Sequence, residues 1–222
     1  MAPNRVVALV PARNEEDRIA ATVEGLRKLP LSEIVVVDDG SKDDTAALAA
    51  AAGARVWRSP GRVGKGRALD EALDRIPEGD VYLFADGDLG ETSSELGPVL
   101  DEVISGGADL CIAVLPPQEG GGFGLVKGLA RDAIKRRTGF DSMEPLSGQR
   151  AIKASALGAC RPFARGFGVE TAMTIDALAA GLRVVEVETD VRHRPTGRGL
   201  RGFMHRARQG LDILLALAAR KS

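Results

Sequence analysis

Five short apolar runs punctuate the first half of the chain, and a polar, helix-patterned stretch follows most of them. Val6–Val10, Ile34–Val37, Ala54–Trp57, Val81–Ala85 and Leu110–Val114 read as short buried strands, the third interrupted by Arg55. Apolar residues at helical spacing mark helices near 15–28, 43–52, 65–75 and 93–104. Three of these stretches begin with pairs of the capping-box type: Asn14 with Asp17, Ser41 with Asp44, and Thr92 with Glu95. Strands alternating with helices predict an α/β fold whose mostly parallel central sheet carries helices on both faces. Ligands of such sheets bind beyond the carboxyl ends of the strands.

The pattern loosens after residue 115. Pro116 to Gly124 reads as a glycine-rich loop, followed by a basic helix at about 125–137. A strand around Gln149–Lys153, a helix around 168–180, a strand at Val184–Val187 and a last helix near 200–219 complete the reading. The 222 residues suit one domain, with a first half to about 115 and a second from about 116.

Composition narrows the classes. A net charge of −1 argues against a general nucleic-acid binder. Cys111 and Cys160 are too few for a disulfide scaffold and point to a reducing compartment. The apolar runs Val6–Val10 and Ile213–Ala219 are far too short to span a bilayer. A cytoplasmic protein is expected, at most resting on the inner membrane face.

The chemistry-bearing residues cluster where the apolar runs end. Pro11-Ala-Arg13-Asn-Glu15 follows the first run; it reads as a helix cap, or as a nucleotide contact through Arg13. Asp38-Asp39-Gly-Ser follows the second, and is either ordinary turn chemistry or a pair of acceptors for a base and a ribose. Gly64-Lys65-Gly66 precedes a helix and can bring backbone and charge to a phosphate. Asp86-Gly87-Asp88 comes directly after apolar residues, where two carboxylates can hold a hard divalent cation, Mn²⁺ or Mg²⁺, against a diphosphate.

In this order, these four motifs resemble family 2 glycosyltransferases of the GT-A fold. The resemblance implies that Pro11, Arg13, Glu15, Asp38 and Asp39 hold the nucleoside of a nucleotide-sugar donor. It implies that Lys65, Asp86 and Gly87 line the donor site, and that Asp86–Asp88 is the metal motif, with Asp88 a catalytic ligand. Pro145-Leu-Ser147-Gly148-Gln149-Arg150 and Gly166-Phe-Gly-Val-Glu170 resemble acceptor-side motifs of two subgroups. These are the glucosyl-3-phosphoglycerate synthases and the polyprenyl-phosphate sugar transferases. The first subgroup implies His193 as a third metal ligand, Glu170 as a catalytic or positioning carboxylate, and Arg194 on the acceptor. Gly90 stands where dolichyl-type enzymes can carry a ligating Gln, which favours the His193 version. UDP-glucose is the first donor implied, with GDP-mannose and UDP-N-acetylglucosamine as alternatives.

The segment 121–137 carries five positive charges against one negative, and 190–222 carries eight against two, suggesting a phosphorylated acceptor. Phe123, Leu125 and Val126 beside the loop lean the expectation towards a polyprenyl phosphate and a peripheral membrane contact, over a small phosphorylated acid such as 3-phosphoglycerate. Two other classes share parts of the pattern. A haloacid-dehalogenase-type phosphatase also places Asp-x-Asp after a strand, but near its N-terminus and without a glycine at the position of Gly90. A non-catalytic nucleotide-sugar-binding regulator would not need both acids of the motif.

Overall fold

The computed structural model describes residues 5–76, 78–116, 124–164 and 168–193. Seven strands form one sheet: β1 (Val6–Ala12), β2 (Glu33–Asp38), β3 (Arg55–Arg58), β4 (Val81–Phe84), β5 (Leu110–Val114), β6 (Arg150–Lys153) and β7 (Val184–Glu188). Their order is β3-β2-β1-β4-β6-β5-β7. All pairings are parallel except those of β6 with β4 and β5. The helices are α1 (Ile19–Leu26), α2 (Thr45–Ala51), α3 (Lys65–Leu73), α4 (Gly97–Ile104), α5 (Gly124–Thr138), α6 (Ala154–Leu157) and α7 (Val169–Ala179).

The unbroken apolar strands follow from having cover on both faces. Val6, Ala8 and Val10 of β1 pack in one core cluster with Ile19 and Val23 of α1 and Leu100 and Val103 of α4. Val7 and Leu9 pack in the other with Ala68 and Leu69 of α3 and Val169 and Met173 of α7. The chain steps from β1 to β2 on one side, while β4 lies on the other side of β1. That reversal opens a crevice at the carboxyl ends of β1, β2 and β4. Asp38, Asp86 and Asp88 lie at or just after two of these ends.

The expected capping boxes do not form; none of these helices has a side-chain cap hydrogen bond. Their polar groups are drawn into bonds between loops instead. Asn14 N–H donates to Ser41 Oγ at 3.0 Å, and Lys42 N–H donates to Asn14 Oδ1 at 3.0 Å. Glu15 N–H donates to Thr45 Oγ1 at 2.8 Å. Asn14 sits at φ 56°, a conformation its short polar side chain tolerates. The helix expected over 93–104 divides into a 3₁₀ turn, Gly90–Leu96, and α4. Pro98 lies in the first turn of α4, where its missing N–H costs no helical bond. The last expected helix, 200–219, lies outside the described residues.

The basic helix is α5, and it turns a narrow apolar stripe inward: Val126, Ala130 and Ile134 are buried. Leu125 and Leu129 face outward, 86% and 50% exposed.

Gly66 is a packing glycine. A methyl group there would overlap the carbonyl oxygen of Ala164 and press on Val169 Cγ2. Alanine ordinarily favours a helix over glycine, but here α3 would be pushed off its neighbours, at a cost of about 1–3 kcal/mol. Gly66→Ala should lower the thermal midpoint by about 4 °C. A midpoint raised in circular dichroism melts would show that α3 is free to shift.

Candidate active site

The loop after β2 is built inward. Asp38 is fully buried; its Oδ1 accepts Ser41 N–H at 2.8 Å, and Arg58 Nε lies 3.0 Å from its Oδ2. Asp39 accepts Val63 N–H at 2.7 Å and Gly64 N–H at 3.0 Å. These two acids were expected to hold the nucleoside. Asp38 is turned inward, and the Asp39 carboxylate holds the loop that leads into α3, because buried carboxylates must find donors close by. Gly64 takes φ 95° at the end of that loop, and Lys65 opens the helix.

Lys65 then reaches two carboxylates from distant elements. Its Nζ donates to Asp86 Oδ1 at 2.8 Å and to Glu170 Oε1 at 2.6 Å. Asp86 Oδ2 accepts Gln149 Nε2–H at 2.8 Å. Burial works against a charged Lys65, yet the charges of Asp86 and Glu170 outweigh it and hold the group as an ammonium well above the ordinary lysine range. Burial likewise opposes ionisation of Asp86, but Lys65, His193 and the two hydrogen bonds bring its carboxyl down to about 2.

Asp88, two residues on, faces a different partner. Its Oδ1 lies 3.0 Å from His193 Nδ1, with the two side chains 25% and 23% exposed. Burial lowers the proton affinity of His193, but the bond to Asp88 and the charges of both acids raise it above the ordinary histidine range. Two ligand atoms at right angles on a cation with bonds of about 2.1 Å are about 3.0 Å apart. The Asp88–His193 pair therefore has the spacing of adjacent ligands of one divalent ion, with carboxylate and imidazole chemistry suited to Mn²⁺ or Mg²⁺. Among the described residues no three His, Cys, Asp or Glu side chains already converge as a closed metal cluster. Asp86 is turned to Lys65 instead.

The other anticipated residues divide. Pro11 and Glu15 are half-buried and Arg13 is exposed, all at or just after the end of β1 beside the crevice. Gly87 is buried; a methyl group there would press on Ala12 Cβ at 3.1 Å, so the acidic loop lies against β1. Ser147, Gly148, Gln149 and Arg150, expected on the acceptor, form a buried turn. Arg150 is 1% exposed and donates to Ser147 O at 2.7 Å and Thr174 Oγ1 at 2.8 Å. Burial brings its guanidinium down to about 10. It braces the turn against α7. Arg194 lies outside the described residues. The sequence did not reveal the bond from Gln149 to Asp86 or the double contact of Lys65, because both depend on the antiparallel β6 and on α7 folding back.

Such a crevice, with paired acids after β4 and polar loops after β1 and β2, defines a GT-A-fold glycosyltransferase. The chain belongs to glycosyl transferase family 2, whose family model matches residues 7–164. Glycosyltransferase AglJ of Haloferax volcanii is 29% identical over 199 residues, covering 88% of this chain and 65% of its own length. Glucosyl-3-phosphoglycerate synthase of Mycolicibacterium paratuberculosis is 31% identical over 240 residues, covering 95% of this chain and 71% of the relative. The Mycobacterium tuberculosis synthase in complex with Mn²⁺, UDP-glucose and phosphoglyceric acid superposes with a TM-score of 0.79 at 30% identity, covering 100% of this chain and 82% of that one. The same enzyme with Mg²⁺ and UDP gives 0.79 at 28% identity, with the same coverage.

Gly148 offers a test of the acidic centre. A methyl group at this position would overlap the Asp86 carboxylate and push it away from Lys65 and Gln149. Gly148→Ala should lower the thermal midpoint by about 2–4 °C and lose about 10²-fold in turnover, the usual cost of displacing a principal electrostatic group. A fully active variant would remove Asp86 from the reaction.

Proposed function

We propose that this glycosyltransferase moves a glucosyl group from UDP-glucose to a small phosphorylated acid of the phosphoglycerate type, with a divalent cation. The observation that carries the reading is the convergence of Lys65, Asp86, Gln149 and Glu170 beside the Asp88–His193 pair. The similarity to synthases seen with UDP-glucose and phosphoglyceric acid over the whole of this chain supports the same substrates.

Asp88 and His193 would hold the cation, with Asp86 beside them. Once bound, the ion neutralises charge on the departing diphosphate. Lys65 fixes the orientation of Asp86 and Glu170 through its two hydrogen bonds. Glu170 is nearly buried, and among the described residues only its Oε1 is engaged, which leaves Oε2 for a hydroxyl of the sugar or acceptor. That oxygen can orient the hydroxyl or take its proton.

The expectation of a polyprenyl phosphate gives way to this reading. Three of the five cations of α5 are paired with two acids: Lys127 with Glu144 at 2.7 Å, Lys135 with Asp141 at 2.9 Å, and Arg131 also with Asp141. These acids reduce the positive charge that the helix can offer an anionic surface. Among the described residues no helix is long and apolar enough to cross a membrane. The exposed Leu125 and Leu129 and the similarity to AglJ keep the lipid acceptor as the second reading.

Two measurements test the proposal. Asp88→Ala and His193→Ala should each weaken Mn²⁺ binding about ten-fold or more in titration calorimetry. Unchanged affinity in both would remove the pair from the metal site. With labelled UDP-glucose and Mn²⁺, label should pass to 3-phosphoglycerate and stop in EDTA. Transfer only to polyprenyl phosphate in liposomes would overturn the small-acid reading.

A further inference from the structure

We infer that the hydroxyl of Thr92 is a positioning group that sets the separation of Asp88 and His193; the inference rests on the metal reading above. Thr92 lies in the 3₁₀ turn after the acidic loop, and its role as a helix cap is not realised. Its Oγ1 donates to Leu89 O at 2.8 Å and accepts Arg192 N–H at 3.1 Å. Leu89 directly follows Asp88, and Arg192 directly precedes His193. One hydroxyl thus joins the residues next to each member of the pair. The ring closes through the 3.0 Å contact of Asp88 Oδ1 with His193 Nδ1.

The geometry separates this role from a general structural one. Leu89 is 1% exposed and Val191 fully buried, both in one core cluster, so each segment is anchored without Thr92. Thr189 also holds the incoming chain, its N–H donating to Val114 O at 3.0 Å. What those anchors leave free is rotation of Arg192 and His193 about the buried Val191. The hydroxyl opposes that rotation from the side of the acidic loop, beside the Asp88–His193 contact itself. A group that fixes a ligand's orientation through its neighbour commonly contributes ten- to a hundred-fold in metal affinity, about the range expected here.

The test compares wild type with Thr92→Val, which keeps the shape and loses the hydroxyl, and Thr92→Ser, which keeps the hydroxyl. Ser94→Ala serves as control; it removes a neighbouring hydroxyl that bonds only to Glu91 and Glu95. The first readout needs no metal: the imidazole NMR signals of His193, one of two histidines, assigned by their loss in His193→Ala. Thr92→Val should shift or broaden them, while Thr92→Ser and Ser94→Ala leave them in place. The second is free Mn²⁺ by electron paramagnetic resonance. The valine variant should bind about ten-fold more weakly, and the serine variant within about two-fold of wild type. Unmoved His193 signals in Thr92→Val overturn the inference, as does a serine variant that behaves like valine. So does a thermal midpoint that falls equally in valine and serine, since that marks a packing role for the methyl. If wild type itself binds no Mn²⁺, the metal reading falls, and the His193 signals still decide whether Thr92 positions the ring.

Discussion

Two acids, Asp86 and Glu170, are brought together in a half-buried crevice from opposite halves of the chain, and one ammonium bonds to both. An ionised carboxylate without a partner in such a place is costly enough to disfavour the arrangement. Lys65 offsets part of that cost and ties the loop after β4 to α3 and α7. The lysine in turn depends on Asp39, whose carboxylate fixes Val63 and Gly64, and on the positive φ of Gly64 that starts α3. Asp39, expected at the nucleoside, also shapes the loop that delivers Lys65.

The paired acids of Asp86-Gly-Asp88 are not equivalent. Alternate residues after a strand point in related directions, yet the loop turns at Gly87 and Gly90, and the two carboxylates part. Asp86 joins the Lys65–Gln149–Glu170 group, while Asp88 meets His193. Thr22, fully buried, lies under this turn: its Oγ1 is 2.9 Å from Gly87 O and accepts Gly90 N–H at 2.8 Å. The result is one acid bound by the protein's own cation and a second presented beside an imidazole, as a cation and a charged donor require.

The basic helix shows how charge read along a chain misleads. Five cations against one acid within 121–137 looked like an anion-binding face. Asp141 and Glu144 come from the turn after the helix and pair with Lys127, Arg131 and Lys135. The acids lay a few residues beyond the window, and folding back put them against the cations. A surface rich in arginine and lysine is therefore not a free positive patch until its partners are known.

The strands, the α/β class and the acidic motif were legible in the sequence because each is a local matter. A run of Val, Ile and Leu is buried on both faces wherever it sits, and polar residues after it must lie at a strand end. The chain alone also singled out Lys65, Glu170 and His193, through motif order and resemblance. What each of them touches was decided by tertiary structure. Gln149 reaches Asp86 because β6 runs antiparallel beside β4, a pairing that no local pattern encodes. The burial of Arg150 against Thr174 of α7 likewise depends on segments far apart in the chain. Asn14, Ser41 and Thr92 carry cap chemistry, but their hydroxyl and amide groups found partners in other loops, and a hydrogen bond follows distance in space, not separation along the chain.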